Sequence, residues 1–174
     1  MYMDAQVRFF LPVEPTPQKN HWSDVAYDLL RSLILADLTP VCLALNVTDL
    51  SRNTDNRWFK YRKLFLGHLA PQYVNFVCGV NEPTWTPNLP GIDREQVYDL
   101  DRLWTKGVPN IAFIGSSPRE LVKIEIEALK KYDKILCPSE RDAWDIIDQT
   151  GIENVGLCPP NDFRALETAI RSYL

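Results

Sequence analysis

The residues best suited to chemistry fall in short segments, each placed just after an apolar run. His21 and Trp22 stand between the first such run and the first helical pattern. A histidine there suits a general base or an acceptor contact, and the indole beside it suits stacking. The plainer alternative is a pair that packs the start of the helix. Glu82 and Trp85 follow YVNFVCGV. A carboxylate and an aromatic ring together grip a sugar or a base, by bidentate hydrogen bonding and stacking; a Pro-rich loop folded over a sheet edge is the other reading. Ser116, Ser117 and Arg119 follow NIAFI. Free backbone N–H groups, hydroxyls and a guanidinium at a helix start suit a phosphate or a carboxylate, and Ser117 also serves as a cap. Ser139, Glu140 and Arg141 repeat the arrangement after KILC. There an N-cap alone accounts for Ser139, and Glu140 with Arg141 reads as a surface pair.

Other reactive types have structural explanations. Cys42, Cys78, Cys137 and Cys158 each sit in or at the end of an apolar run, with no CxxC spacing, and read as reduced core thiols on four strands. That pattern favours a reducing compartment. No metal site is expected, since only His21 and His68 are on offer as further ligands. His68 reads as structural. Arg57, Lys60, Arg62 and Lys63 form a basic face, usually a solvated one. Trp58, Trp104 and Trp144 lie in helical contexts and read as core or interface. The sequence has no GxSxG elbow, and GSSP lacks the Gly-Lys-Ser/Thr end of a P-loop.

The elements that must position these residues alternate. Strands are expected at Gln6–Val13, Val41–Val47, Tyr73–Val80, Asn110–Ile114, Lys134–Cys137 and Asn154–Cys158. Between them the apolar spacing predicts a helix from a Ser23 cap to about Asp37, with Val25, Leu29, Leu30, Leu33 and Ile34 on one face. A second runs over Trp58–Leu69 with Pro71 ending it, and a short one over Arg94–Lys106. The next starts at the capping box Ser117-Pro118-Arg119-Glu120 and runs to Lys131. Ser139 caps Glu140–Gln149, with Gly151 as its stop, and a last helix covers Phe163–Tyr173. Short apolar strands alternating with helices imply one three-layer α/β domain over residues 1–174. It is Rossmann-like, with a mostly parallel sheet of about six strands and helices on both faces. Ligands of such sheets bind beyond the strand carboxyl ends. That singles out Pro12–Trp22, Asn81–Pro90, Gly115–Arg119, Pro138–Arg141 and Pro159–Asp162.

Composition narrows the class. The 174 residues are 45% hydrophobic and 24% charged, with net charge -4, an ordinary globular balance that disfavours nonspecific nucleic-acid binding. No apolar run reaches the roughly 20 residues of a membrane span. The N-terminus reads as a first strand and not a signal peptide, so a cytoplasmic protein is expected.

The run Lys131–Asp162, KYDKILCPSERDAWDIIDQTGIENVGLCPPND, resembles the end of the N-terminal domain of retaining, family 4-like glycosyltransferases of the GT-B architecture. The matches are Asp133, Ile135–Cys137, Pro138-Ser139, Gly151-Ile152, Val155–Cys158 and Pro159-Pro160-Asn161-Asp162. The resemblance implies that the loop with His21 and Trp22 faces an acceptor and that Ser139 faces an interdomain cleft. It implies a nucleotide sugar or a sugar acceptor as ligand, with no other cofactor. Two family features are missing. The turn after the first strand reads PVEPTPQKNHW, without glycines, and the chain stops where the donor-gripping second domain would begin. Glycosyl transfer would then need a partner protein or a homodimer. A noncatalytic, phage-type interaction protein on the same scaffold is the alternative, with the PTWTPNLP loop and tryptophans as its interface. A flavodoxin-like small-ligand domain is a third.

Overall fold

A strand covered on both faces needs apolar side chains on both, and runs such as VNFVC and NIAF provide them. A computed structural model describes residues 5–10, 21–43, 56–66, 69–78, 107–115, 120–121 and 123–174. The strands are β1 (Ala5–Phe10), β2 (Pro40–Leu43), β3 (Leu69–Cys78), β4 (Asn110–Phe113), β5 (Lys134–Cys137) and β6 (Val155–Leu157). The described helices are α1 (His21–Leu35), α2 (Asn56–Phe59), α3 (Lys123–Leu129), α4 (Glu140–Thr150) and α5 (Phe163–Arg171), and a 3-10 turn covers Arg62–Leu66. The six strands form one sheet in the order β2-β1-β3-β4-β5-β6, every pairing parallel.

Successive side chains of a strand point to opposite faces, and here both faces are packed. Val7, Phe9, Phe76, Cys78, Ile111, Phe113 and Leu136 meet Leu29, Leu30 and Leu33 of α1, Trp58 of α2, and Leu166 and Ile170 of α5. Phe10, Val77, Ala112, Ile114, Ile135 and Cys137 meet Leu129 of α3 and Ile146 of α4 on the other face. The result is the three-layer, Rossmann-like α/β arrangement. Each Val, Leu, Ile or Phe among them contributes about 1.5–3 kcal/mol by leaving water. From β1 to β2 the chain moves toward one edge, with α1 on the first face. From β4 through β6 it moves toward the other edge, with α3 and α4 on the second. For these connections, reversing direction and face together keeps one crossover hand.

The helix ends follow local chemistry. After α1, Leu38 N–H donates to Leu33 O (3.0 Å) and Asp37 N–H to Ile34 O (3.0 Å), with Asp37 left-handed at φ 57°. This is the Schellman pattern. Ser139 caps α4 and Gly151 closes it at φ 72°, donating to Ile147 O at 2.8 Å. Asp162 caps α5 through Ala165 N–H at 3.0 Å.

Several boundaries differ from expectation. Helix α1 begins at His21, so Ser23 lies inside its first turn rather than before it. Ile34, expected on the buried face, is 38% exposed. The long helix expected over Trp58–Leu69 is a single turn, α2, followed by the 3-10 turn. Pro71, expected to end that helix, lies within β3. The β1–β3 pairing explains how. Ala5 pairs with Leu69 but Val7 with Val74, so the register shifts in the stretch that holds the proline. A residue without an N–H is tolerated where the ladder is interrupted. Helix α3 starts at Lys123, and Glu120 and Leu121 are not helical. Leu121 N–H instead donates to Gln149 Oε1 on α4 at 2.7 Å. The helix expected over Arg94–Lys106 lies outside the described residues.

Candidate functional site

The strand order reverses between β1 and β3, since the chain goes outward to β2 and then returns past β1. In open parallel sheets the crevice beyond the carboxyl ends at such a reversal holds the ligand. Helices α1, α4 and α5 each follow a strand, so their N-termini all rise at this edge. Their dipoles turn three positive ends toward it, and the residues just ahead of α1 lie outside the described ones. Two of these are already occupied. At α4, Asp142 N–H donates to Ser139 Oγ (3.2 Å) and Ser139 Oγ donates to Asp142 Oδ2 (2.8 Å). At α5 the cap is the Asp162 carboxylate itself.

The β5–β6 end of the edge is therefore acidic. Burial, then the nearby Asp142 and Asp145, push the Cys137 thiol up to about 12. Burial and Asp162 push Cys158 up to about 12 as well, and burial alone pushes Cys42 far up. All four cysteines are buried thiols outside any disulfide. Thiols so protonated are not nucleophiles at neutral pH. The turn after β6 is tied to α1, where Ser32 Oγ donates to Pro160 O at 2.7 Å, and the far end of α5 is tied to the end of α1, where Arg171 Nη2 donates to Ala36 O at 2.9 Å.

The sequence-derived residues divide by strand. His21 and Trp22 are the first two residues of α1, beside the reversal. Glu82 and Trp85, which follow β3, and Ser116, Ser117 and Arg119, which follow β4, lie outside the described residues, as does His68. Ser139 and Arg141 belong to the β5–α4 junction, two strands beyond β3, about 10 Å along the sheet. Ser139 is the α4 cap, and Arg141 is exposed on that helix. Trp58 is core, 1% exposed, and its indole meets Tyr27 edge-on with centroids 5.6 Å apart. Trp144 is instead 65% exposed.

One polar constellation escaped sequence reasoning. Arg8 is in register with Asn75, and Asn75 with Asn110, across three neighbouring strands. Arg8 Nε donates to Asn75 Oδ1 (2.8 Å) and Asn75 Nδ2 to Asn110 Oδ1 (2.8 Å). Arg8 Nη2 donates to Tyr73 Oη (2.9 Å), and its guanidinium lies 4.6 Å from that ring's centroid. Asp133 closes the row, its Oδ2 accepting from Asn110 N–H at 2.7 Å. Burial lowers the Arg8 value, and Tyr73 partly offsets this. The row lies toward the amino end of β4, away from the carboxyl edge. The signal for it was a polar residue inside each of three apolar runs (QVRFF, YVNFV, NIAF).

Among the described residues no group of three or more His, Cys, Asp or Glu is placed to hold a metal ion, and no helix is long and apolar enough to cross a membrane. No family model, curated protein or solved structure matches this chain. Fold and site chemistry therefore define it only as a three-layer, all-parallel Rossmann-like domain.

Proposed function

We propose that this protein is a glycosyltransferase-like domain that binds a nucleotide sugar or a sugar acceptor at the crevice between β1 and β3. The observation that carries this is the strand-order reversal with the His21–Trp22 end of α1 beside it. The acidic, capped β5–β6 end disfavours a diphosphate there, which leaves the α1 end for an anion and the acidic end for hydroxyls. Among the described residues no donor clamp stands at this crevice, and on this reading turnover draws on a partner chain or a second copy. Transfer would then proceed by positioning and by stabilising the leaving diphosphate.

Isothermal titration with a panel of uridine, guanosine and adenosine diphosphate sugars, and with the free nucleotides, tests the reading. Binding by at least one is expected, weakened about tenfold or more by Trp22→Ala, the loss of one good stacking contact. Ser139→Ala should leave affinity unchanged. Silence from the whole panel overturns the proposal.

A second reading, a noncatalytic, phage-type interaction protein, is favoured by the open indole of Trp144. Covalent capture of a foreign protein at that residue, from a chain that binds no sugar, would select it.

A further inference from the structure

Helix α4 turns an indole to solvent in the middle of an acidic face. Trp144 is 65% exposed. Glu140, Arg141 and Asp148 are exposed around it, at positions that recur with helical spacing. The helix carries Glu140, Asp142, Asp145 and Asp148 against the single cation Arg141. A lone exposed apolar side chain needs no explanation. An indole ringed by carboxylates is a different object, because the ring face and the carboxylates both attract a cation.

The same chain carries the complement. Lys60, Arg62 and Lys63 are exposed within the run RWFKYRK, in a molecule whose net charge is -4. Aromatic rings stand among them: Lys60 Nζ lies 5.1 Å from the Tyr61 centroid and 5.8 Å from that of Tyr27. Arg57 is only partly exposed and is left out of the face. The basic run packs beside β2 and α4 packs beside β5 and β6, at opposite edges of the sheet. With strands about 4.8 Å apart, some 20 Å separate the two patches, more than twice the Debye length of about 8 Å in physiological salt. They cannot neutralise each other within one chain.

We propose that this protein self-associates head to tail, the Lys60–Arg62–Lys63 face of one copy docking on the Trp144 face of α4 in the next. The contact is heterologous, so each copy offers one donor face and one acceptor face, and the chain of copies closes into a ring or stays open. A lysine or arginine over the Trp144 ring, flanked by Glu140 and Asp148, forms its centre. The proposal takes from the interaction reading only that Trp144 is a contact residue, and it holds whether or not a sugar binds.

Sedimentation velocity of the full chain across a concentration series tests it. Mass should rise with concentration at low salt, and raising sodium chloride from about 50 to about 500 mM should weaken association about tenfold. Trp144→Ala with Asp148→Ala removes the acceptor face, and Lys60→Ala with Lys63→Ala removes the donor face. Circular dichroism should show both variants folded, since all four side chains are exposed. Each variant alone should stay at monomer mass, and an equimolar mixture should form dimers and nothing larger. A wild-type chain that is monomeric throughout, variants that associate unchanged, or a mixture that remains monomeric each overturns the proposal. A monomeric chain that captures a foreign protein at Trp144 overturns self-association and leaves the interaction reading standing.

Discussion

Asn75 makes the clearest case for a single side chain deciding stability. It is fully buried, accepts from Arg8 and donates to Asn110. Asn75→Ala strands the buried amide oxygen of Asn110 and takes a partner from the half-buried Arg8 guanidinium, at about 1–3 kcal/mol for the first and less for the second. Urea unfolding should show a loss of about 3 kcal/mol. A cycle with Asn110→Ala should show coupling of about 1 kcal/mol, because both act in one network. The buried thiols set a pH dependence of the opposite kind from a carboxylate. Burial raises Cys137 and Cys158 from an ordinary 9.0 to about 12, so the folded state keeps protons that the unfolded state releases. Their stabilisation is full below about pH 9 and is lost as pH climbs toward 12, by about 1.4 kcal/mol per pH unit for each thiol. Cys137→Ala should flatten that alkaline decline in urea midpoints. Iodoacetamide at neutral pH should label none of the four cysteines until the chain is unfolded. Sequence exposed the thiols because each sits in its own apolar run. It hid the Arg8 row because that row depends on register between residues 67 apart.

At the level of elements, two glycines separate conformation from space. Gly151 holds φ 72° at the end of α4, and a Cβ there would meet nothing within 4 Å. Gly151→Ala is therefore costly through backbone alone, about 1 kcal/mol. Gly156 in β6 has an ordinary backbone, and its added Cβ would come 3.1 Å from Lys134 Cε. That contact is with a flexible side chain that can move, so Gly156→Ala should fall within about 0.5 kcal/mol of wild type. Thermal denaturation of the two variants side by side checks the contrast. The same locality explains which elements could be read from sequence. Helix α4 has a cap, a periodic face and a left-handed stop within a dozen positions, and its expected bounds differ by a residue. The segment Asn56–Leu66 has good helical spacing but gives way to a 3-10 turn and then β3. Pairing between β1 and β3 claims the chain from Leu69 onward, and a pairing partner so distant leaves no local trace. The candidate site was legible to the same extent. Ser139 was found because a cap is local, whereas its isolation from the β1–β3 reversal depends on strand order.

For the molecule as a whole, the sheet order carries the functional reading and the charge distribution carries the association. A chain of net charge -4 repels its copies at long range, yet the Lys60–Lys63 run and the open indole of Trp144 lie toward opposite edges of the sheet. Association should therefore weaken with added salt, and a purely apolar contact would strengthen. The Arg8 row has a further consequence for a chain made from its N-terminus. β1 lies inside the sheet, between β2 and β3, so the first strand synthesised can form only one of its two ladders until the Leu69–Cys78 segment emerges. The row that begins at Arg8 is complete only when Asp133 arrives. Until β3 is delivered, water must stand in for Tyr73 and Asn75 at the Arg8 guanidinium. The arginine would then act as a guard on the growing chain, delaying closure of the β1 face until the strands that satisfy it have been delivered.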